Sequence, residues 1–239
     1  MEIKEKFKNI IGFALNELNG EVERYKVNFG VGYSLYKKDK FLYNERLIEL
    51  PFLFSNIRKP PAQVLDIGCT ESITPIQLSM IGYKVYGIDI RDYGYSHPKF
   101  TFIKDDLLAH NFGNKKFDII IDISSIEHFG LDTYTNKIID LKADIKALNK
   151  VYSLLKKNGQ FIFTAPFGKP EIVNNFERIY SYKDIQNMFK NKFKIKKQQF
   201  WLIHSYKNIS EVDLSTASRV RTNLTEGTYA VITISAFKV

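Results

Sequence analysis

The stretch "VLDIGCTES", Val64 to Ser72, decides how this chain folds. An apolar run carries Asp66 near its end and passes into a turn of small and polar residues: Gly68, Cys69, Thr70, Glu71 and Ser72. It reads as a buried strand running into a strand-to-helix turn. Such a turn lets a ligand approach backbone N–H groups, and glycine permits the closest approach. A dinucleotide-binding turn carries three glycines. Here Gly68 supplies one, and Thr70 and Ser72 stand at the two later positions. Their side chains crowd a pyrophosphate, and Asp66 opposes its charge. The turn suits a smaller, less anionic group bearing one carboxylate and one ammonium.

Outward from this turn, strands and helices alternate from Ala62 onward. Strands are expected at "QVLDIG", "KVYGIDI", "FTFIKDD", "FDIIIDIS", "QFIFTAP", "FKIKKQQFWLI" and "TYAVITISAFKV". Helices are expected at "SITPIQLSMIG", at "SYKDIQNMFKN", and across "IIDLKADIKALNKVYSLLKKNG" with Asn158-Gly159 as its C-cap. The pattern is that of an α/β chain with a doubly wound, mostly parallel sheet. Pro60-Pro61 marks a boundary between an N-terminal extension, residues 1–60, and a main domain, residues 61–239. In the extension, Ile3, Phe7, Ile10, Ile11, Ala14, Leu15 and Leu18 recur at helical spacing up to Asn19-Gly20. That helix packs on the main domain, covers a ligand as a lid, or makes a dimer contact. Residues 21–44 read as irregular, and "NERLIELPFLFSNI" as a short helix.

Ligands of such sheets sit beyond the carboxyl ends of the strands. Asp89 ends the second expected strand and is placed to accept both hydroxyls of a ribose. Asp105 and Asp106 end the third; there a carboxylate can accept from an adenine amino group while Leu107 packs on the ring. Each acid alone is equally a turn or helix cap. As an ordered set, a site for an amino-acid moiety, an acid for ribose and an acid for adenine describe S-adenosyl-L-methionine.

These motifs resemble those of the class I, Rossmann-like S-adenosylmethionine-dependent methyltransferases. "VLDIGCTES" resembles that family's first motif, "VYGIDI" its second, "FIKDDLL" its third, "FDIIIDISSIEHFG" its fourth, and "LLKKNGQFIFTAPFG" its fifth-strand motif. The similarity spans roughly residues 62–200. It implies a seven-stranded sheet whose last strand is antiparallel. The cofactor set it implies is Asp66, Gly68, Cys69, Thr70, Ser72, Asp89, Ile90, Asp105, Asp106, Leu107 and Ser124. Thr70, Ser72 and Asn158 depart from the family's usual glycines and Pro-Gly step.

Methyl transfer to a hydroxyl needs acceptor and methyl held in line and a proton removed. His128 in "SSIEHFG", just past the fourth strand, is the candidate base, and Glu127 the residue to orient it or the acceptor. Packing of His128 beside the cofactor and helix capping by Glu127 are the plainer accounts. No metal is expected, because "DISSI" lacks a further carboxylate. On the acceptor side stand Phe167, which resembles a pocket wall, Arg178 and Tyr180 in "FERIYS", and Arg219 and Arg221 in a long loop. Core packing, a surface salt bridge and a solvated loop are their respective alternatives. His97, His110 and His204 read as structural.

The only cysteine is Cys69, which excludes an intrachain disulfide and suits a reducing, cytoplasmic setting. The first twenty residues carry Glu2 and Glu5 where a signal peptide has basic residues, and no run is long and apolar enough to span a membrane. The net charge of +9 invites a nucleic-acid partner, but lysine outnumbers arginine 28 to 7 and the basic residues are scattered. Their one cluster, Lys190 to Lys197, alternates with Phe193 and Ile195 as the wet face of a strand does. The expected partner is a small-molecule acceptor methylated on a hydroxyl, with a sugar or a surface-glycan precursor as the candidate class. An RNA methyltransferase and a non-catalytic cofactor-binding assembly protein are the alternatives.

Overall fold

The structure is a computed structural model that describes residues 27–28, 33–37, 40–42, 44–132 and 137–239. The helix expected over residues 3–18 lies outside them. Where residues 21–44 read as irregular, the described backbone forms three short antiparallel strands, Val27–Asn28, Tyr33–Lys37 and Lys40–Leu42. Tyr, Val and Leu in these segments favour extended backbone over coil.

Eight strands form the main sheet: β1 (Gln63–Ile67), β2 (Lys84–Asp89), β3 (Phe100–Lys104), β4 (Phe117–Ile123), β5 (Leu155–Phe167), β6 (Phe193–His204), β7 (Asn208–Val212) and β8 (Tyr229–Lys238). Their order is β7-β6-β8-β5-β4-β1-β2-β3. The run from β5 through β4, β1 and β2 to β3 is parallel, and β8 is antiparallel to both its neighbours. The sheet has one strand more than the expected seven. The extra strand, β7, pairs antiparallel with β6 at the edge, in a segment read from sequence as loop. Ile209 explains it, because it packs on a small cluster of Ile48, Ile203, Tyr229 and Val231.

Helices cover both faces of the sheet. On one face α1 (Arg46–Asn56) and α2 (Thr74–Met80) bury Phe52, Leu53 and Leu78 against Val64, Val85, Ile119, Ile121 and Ile162. On the other, α3 (Ala143–Leu154) and α4 (Tyr182–Phe189) bury Leu148, Val151, Ile185 and Phe189 against Leu65, Ile120, Phe161 and Phe163. β4 is buried on both faces, as its β-branched run requires. A fifth helix, α5 (Leu214–Arg219), follows β7. α4 starts with a capping box in which Ser181 and Asp184 satisfy each other's backbone N–H groups.

Two boundaries differ from the sequence expectation. α3 begins only at Ala143 and ends at Leu154. Asn158-Gly159 is not its C-cap. Leu155 already pairs with Phe117, and the ladder is irregular between Leu155 and Gln160, with Asn158 left-handed at φ 56°. Burial of Leu155 on the sheet stops the helix one turn before the Asn-Gly signal.

Candidate active site

The chain leaves β1 to build β2 and β3 on one side and then crosses to β4 on the other, so the crevice lies between the tips of β1 and β4. Gly68 stands at that point. Its φ of 68° is left-handed, its N–H donates to the Ile88 carbonyl at 2.9 Å, and a Cβ there would lie 2.0 Å from Ser125 Oγ. The turn after β1 therefore touches the turn after β4. Behind it, Cys69 is buried against β2, where a Cβ on Gly87 would lie 2.6 Å from its sulfur. Burial pushes the Cys69 thiol far up. Ser72 Oγ accepts from the Thr74 N–H at 2.9 Å and shapes the entry to α2. The Thr70 N–H donates to Asp89 at 3.0 Å, while Thr70 Oγ1 is buried without a hydrogen-bond partner.

Asp89 closes β2 and accepts from the backbone N–H groups of Thr70 and Arg91. Burial pushes its carboxyl up, but these bonds and the Arg91 guanidinium outweigh it and hold the group below the usual carboxylate range. Beside it Ile90 is 63% exposed, an apolar side chain open to a ring. Asp105 is held by His110 Nδ1 at 2.8 Å, and Asp106 accepts from the Leu108 N–H at 2.6 Å as a turn cap. Leu107 is buried in the core beneath. His97 accepts from the Lys99 N–H, and His204 lies 3.3 Å from Thr228 Oγ1, so both are occupied locally.

Between these tips sits a nest of buried acids: Glu49, Asp66, Asp122 and Glu127. Burial, reinforced by Asp89, pushes Asp66 up to about 8 against the pull of Arg46. Burial likewise raises Asp122 and Glu127, each helped by neighbouring carboxylates. Asp122 Oδ2 and both Glu127 carboxylate oxygens have no hydrogen-bond partner. The cation among them is Arg46 of α1, which donates to Glu49 at 2.7 Å and to the Ile123 carbonyl at 3.0 Å. Glu49 also accepts from Thr164 Oγ1 at 2.6 Å and from Ser124 Oγ. Ser124 is left-handed at φ 48°. Arg46, Glu49 and Asp122 were missed from sequence. Their one signal was charge at i, i+3 on an otherwise apolar helix and an acid inside a buried strand.

His128 ends a short turn, Ile126–His128, whose last N–H donates to the Ser125 carbonyl at 3.1 Å. Its Nδ1 lies 2.6 Å from the Phe176 carbonyl, its ring packs edge-on against Phe176, and its Nε2 is 3.7 Å from Glu127. The acceptor residues expected from sequence do not gather here. Arg178 is buried and spends its guanidinium on the carbonyls of Glu127, Phe129 and Asp140, with Asp144 at 3.7 Å. Tyr180 is buried and donates to Asp144, and Phe167 is core, packed on Phe200. Arg178 braces the loop that carries His128, while Tyr180 and Phe167 are packing residues, because β5 and the hairpin of Glu171–Val173 and Glu177–Ile179 turn all three inward. Arg219 and Arg221 are exposed at the rim, Arg221 4.0 Å from Glu171. Among the described residues no three His, Cys, Asp or Glu side chains are grouped to hold a metal ion.

Parallel strands in this order, an antiparallel β8 and a glycine turn at the switch point make this the class I S-adenosylmethionine-dependent methyltransferase fold. Within it, the chain belongs to the family described as "Caenorhabditis protein of unknown function, DUF268", whose profile matches residues 95–234, more than half of the chain. A similar solved structure is the 1,6-didemethyltoxoflavin-N1-methyltransferase of Burkholderia thailandensis, with bound 1,6-didemethyltoxoflavin and S-adenosylhomocysteine. It is 15% identical, at TM-score 0.52, over 75% of this chain and 72% of that one. The N-methyltransferase NodS of Bradyrhizobium japonicum, in complex with S-adenosylhomocysteine, is 11% identical, at TM-score 0.53, over 81% and 87%. By sequence, the ribosomal RNA large subunit methyltransferase E of Brachyspira hyodysenteriae is 27% identical over 140 residues, 56% of this chain and 72% of that one.

Proposed function

We propose that the chain is an S-adenosyl-L-methionine-dependent methyltransferase that acts on a hydroxyl of a small-molecule acceptor. The observation that carries the acceptor chemistry is the 2.6 Å contact of His128 Nδ1 with the Phe176 carbonyl. A carbonyl only accepts, so Nδ1 holds the proton and Nε2 holds the lone pair. That is the tautomer a general base needs. Glu127, raised by burial and next to Nε2, is the residue that sets the polarity around it.

The strand tips fit the cofactor. Gly68 admits no side chain, which lets the turn after β1 close on the turn after β4 at the ligand edge. Asp89 is held anionic for ribose hydroxyls, and Ile90 offers an apolar face for adenine. Asp66 and Asp122 surround the place where an ammonium would sit, and an ammonium supplies the charge this acidic nest lacks. S-adenosyl-L-methionine supplies an electrophilic methyl when bound. The chain's own work is to hold ribose and amine, to exclude water with Ile90 and the β4 turn, and to take a proton at His128 Nε2. Residues 1–60 contribute to this edge through Arg46 and Glu49, and the remainder of that segment is the candidate lid or acceptor element. A sugar-like acceptor of cytoplasmic origin fits this reading.

RNA as acceptor is the second reading, favoured by the Brachyspira relative and by the net charge of +9. A methyl-transfer screen against sugar, phenolic, lipid and RNA pools, read by mass spectrometry, separates the two. Binding to S-adenosylhomocysteine is the prior test: it raises the melting temperature and NAD does not. No shift with S-adenosylhomocysteine would remove the proposal.

A further inference from the structure

Asp89 sits at a strand tip, yet its side chain is only 4% exposed. Arg91 covers it. Nε lies 3.3 Å from Oδ1 and Nη2 3.4 Å from Oδ2, so both carboxylate oxygens face the guanidinium. The shorter contact of Arg91 is elsewhere: Nη1 lies 2.7 Å from Glu71 Oε1. Glu71 belongs to the turn after β1, so the guanidinium spans the tips of β1 and β2, over the ribose subsite. Asp89 itself does not depend on the Arg91 side chain for its position, because the backbone N–H groups of Thr70 and Arg91 hold it at 3.0 and 2.9 Å.

We propose that Arg91 is a gate on the ribose subsite and that Glu71 is the post on which the open gate rests. A ribose diol needs both oxygens of Asp89. The long contacts of Arg91 to Asp89 must break for it to enter, and the short contact to Glu71 can persist. This gives Glu71 a role in a turn where the dinucleotide pattern has small residues. The inference rests on Asp89 being the ribose acid of the proposed function. Arg91 is 41% exposed, so the ion pair is weak enough to open, and the competition lowers cofactor affinity by the closed fraction.

The test is calorimetric titration of S-adenosylhomocysteine into the wild type, Arg91→Ala, Glu71→Ala and the double variant, at low and high salt. Arg91→Ala should bind about three- to tenfold tighter, as expected when a closed fraction is removed. Wild-type affinity should rise with salt as the ion pair is screened, and Arg91→Ala should lose that dependence. Glu71→Ala should bind more weakly than wild type, because Glu71 no longer holds the guanidinium off and its long contacts to Asp89 can shorten, and it should change nothing in the Arg91→Ala background. Weaker or unchanged binding by Arg91→Ala beside a binding wild type overturns the gate and leaves the proposed function standing. Absence of binding by both folded proteins overturns the proposed function and the gate with it.

Discussion

Thr164 Oγ1 donates a 2.6 Å hydrogen bond to Glu49, a residue 115 positions earlier in the chain. The bond joins α1 to β5, and through Ser124 Oγ the same carboxylate holds the tip of β4. Thr164→Val keeps the shape and removes the donor. It should cost about 1–3 kcal/mol in urea unfolding. Glu49→Ala removes the ion-pair partner that Arg46, 11% exposed, holds at 2.7 Å, and should cost more, about 3–5 kcal/mol. Equal midpoints for the wild type and both variants would show that the contact contributes nothing.

Gly68→Ala combines a left-handed φ of 68° with a Cβ only 2.0 Å from Ser125 Oγ. The variant should lose more than about 1 kcal/mol of stability. It should also lose its thermal response to S-adenosylhomocysteine, because the turns after β1 and β4 must part. A full thermal shift in a folded Gly68→Ala protein would separate this turn from ligand binding.

Asp66 binds its proton more tightly in the fold, at about 8, than an ordinary carboxyl does. Protonation therefore stabilises the folded chain: the contribution is full below the unfolded value of about 4 and is lost as pH rises toward 8. Asp122 and Glu127 shift the same way. Urea midpoints should fall between pH 5 and 8, roughly the range over which this linkage acts. Asp66→Asn should flatten the fall and weaken S-adenosylhomocysteine binding. A wild-type midpoint that rises over this range would contradict the buried neutral acids.

His128→Gln retains a side chain of similar reach and lacks a base. Turnover should fall about 10²- to 10⁴-fold while S-adenosylhomocysteine affinity holds. Loss of affinity together with turnover would make His128 a packing residue beside the cofactor.

Arg178→Ala removes the donor from two carbonyls on the loop that carries His128, those of Glu127 and Phe129, and from the Asp140 carbonyl, and leaves Asp144 without its cation. The expected cost is about 3–5 kcal/mol, with faster amide exchange over residues 126–130. Unchanged exchange there would show that the loop stands without this brace.

The acids at the strand tips were legible because strand-end positions repeat with the alternation of the fold. Asp66, Gly68 and Asp89 each follow directly from where an apolar run stops. Arg178 and Tyr180 carried the same kind of polar signal. Their burial came from the hairpin that folds back on β5, and no local pattern reports that packing. The Asn158-Gly159 stop misled for the same reason: sheet pairing of Leu155 overrides a helix-ending signal.

The layered α/β order, the parallel strands and the place of the glycine turn are set locally along the chain, because hydrophobic period and turn chemistry act over a few residues. The folded chain alone brings Arg46 and Glu49 of α1 to the strand tips, lays Arg91 over Asp89, and gathers Glu49, Asp66, Asp122 and Glu127 into one buried nest. Most of these relationships join residues far apart in the chain, and Arg91 lies over its near neighbour Asp89 while reaching Glu71, 20 positions earlier. Their energies come from burial and from charges brought close, which exist only once the chain has folded.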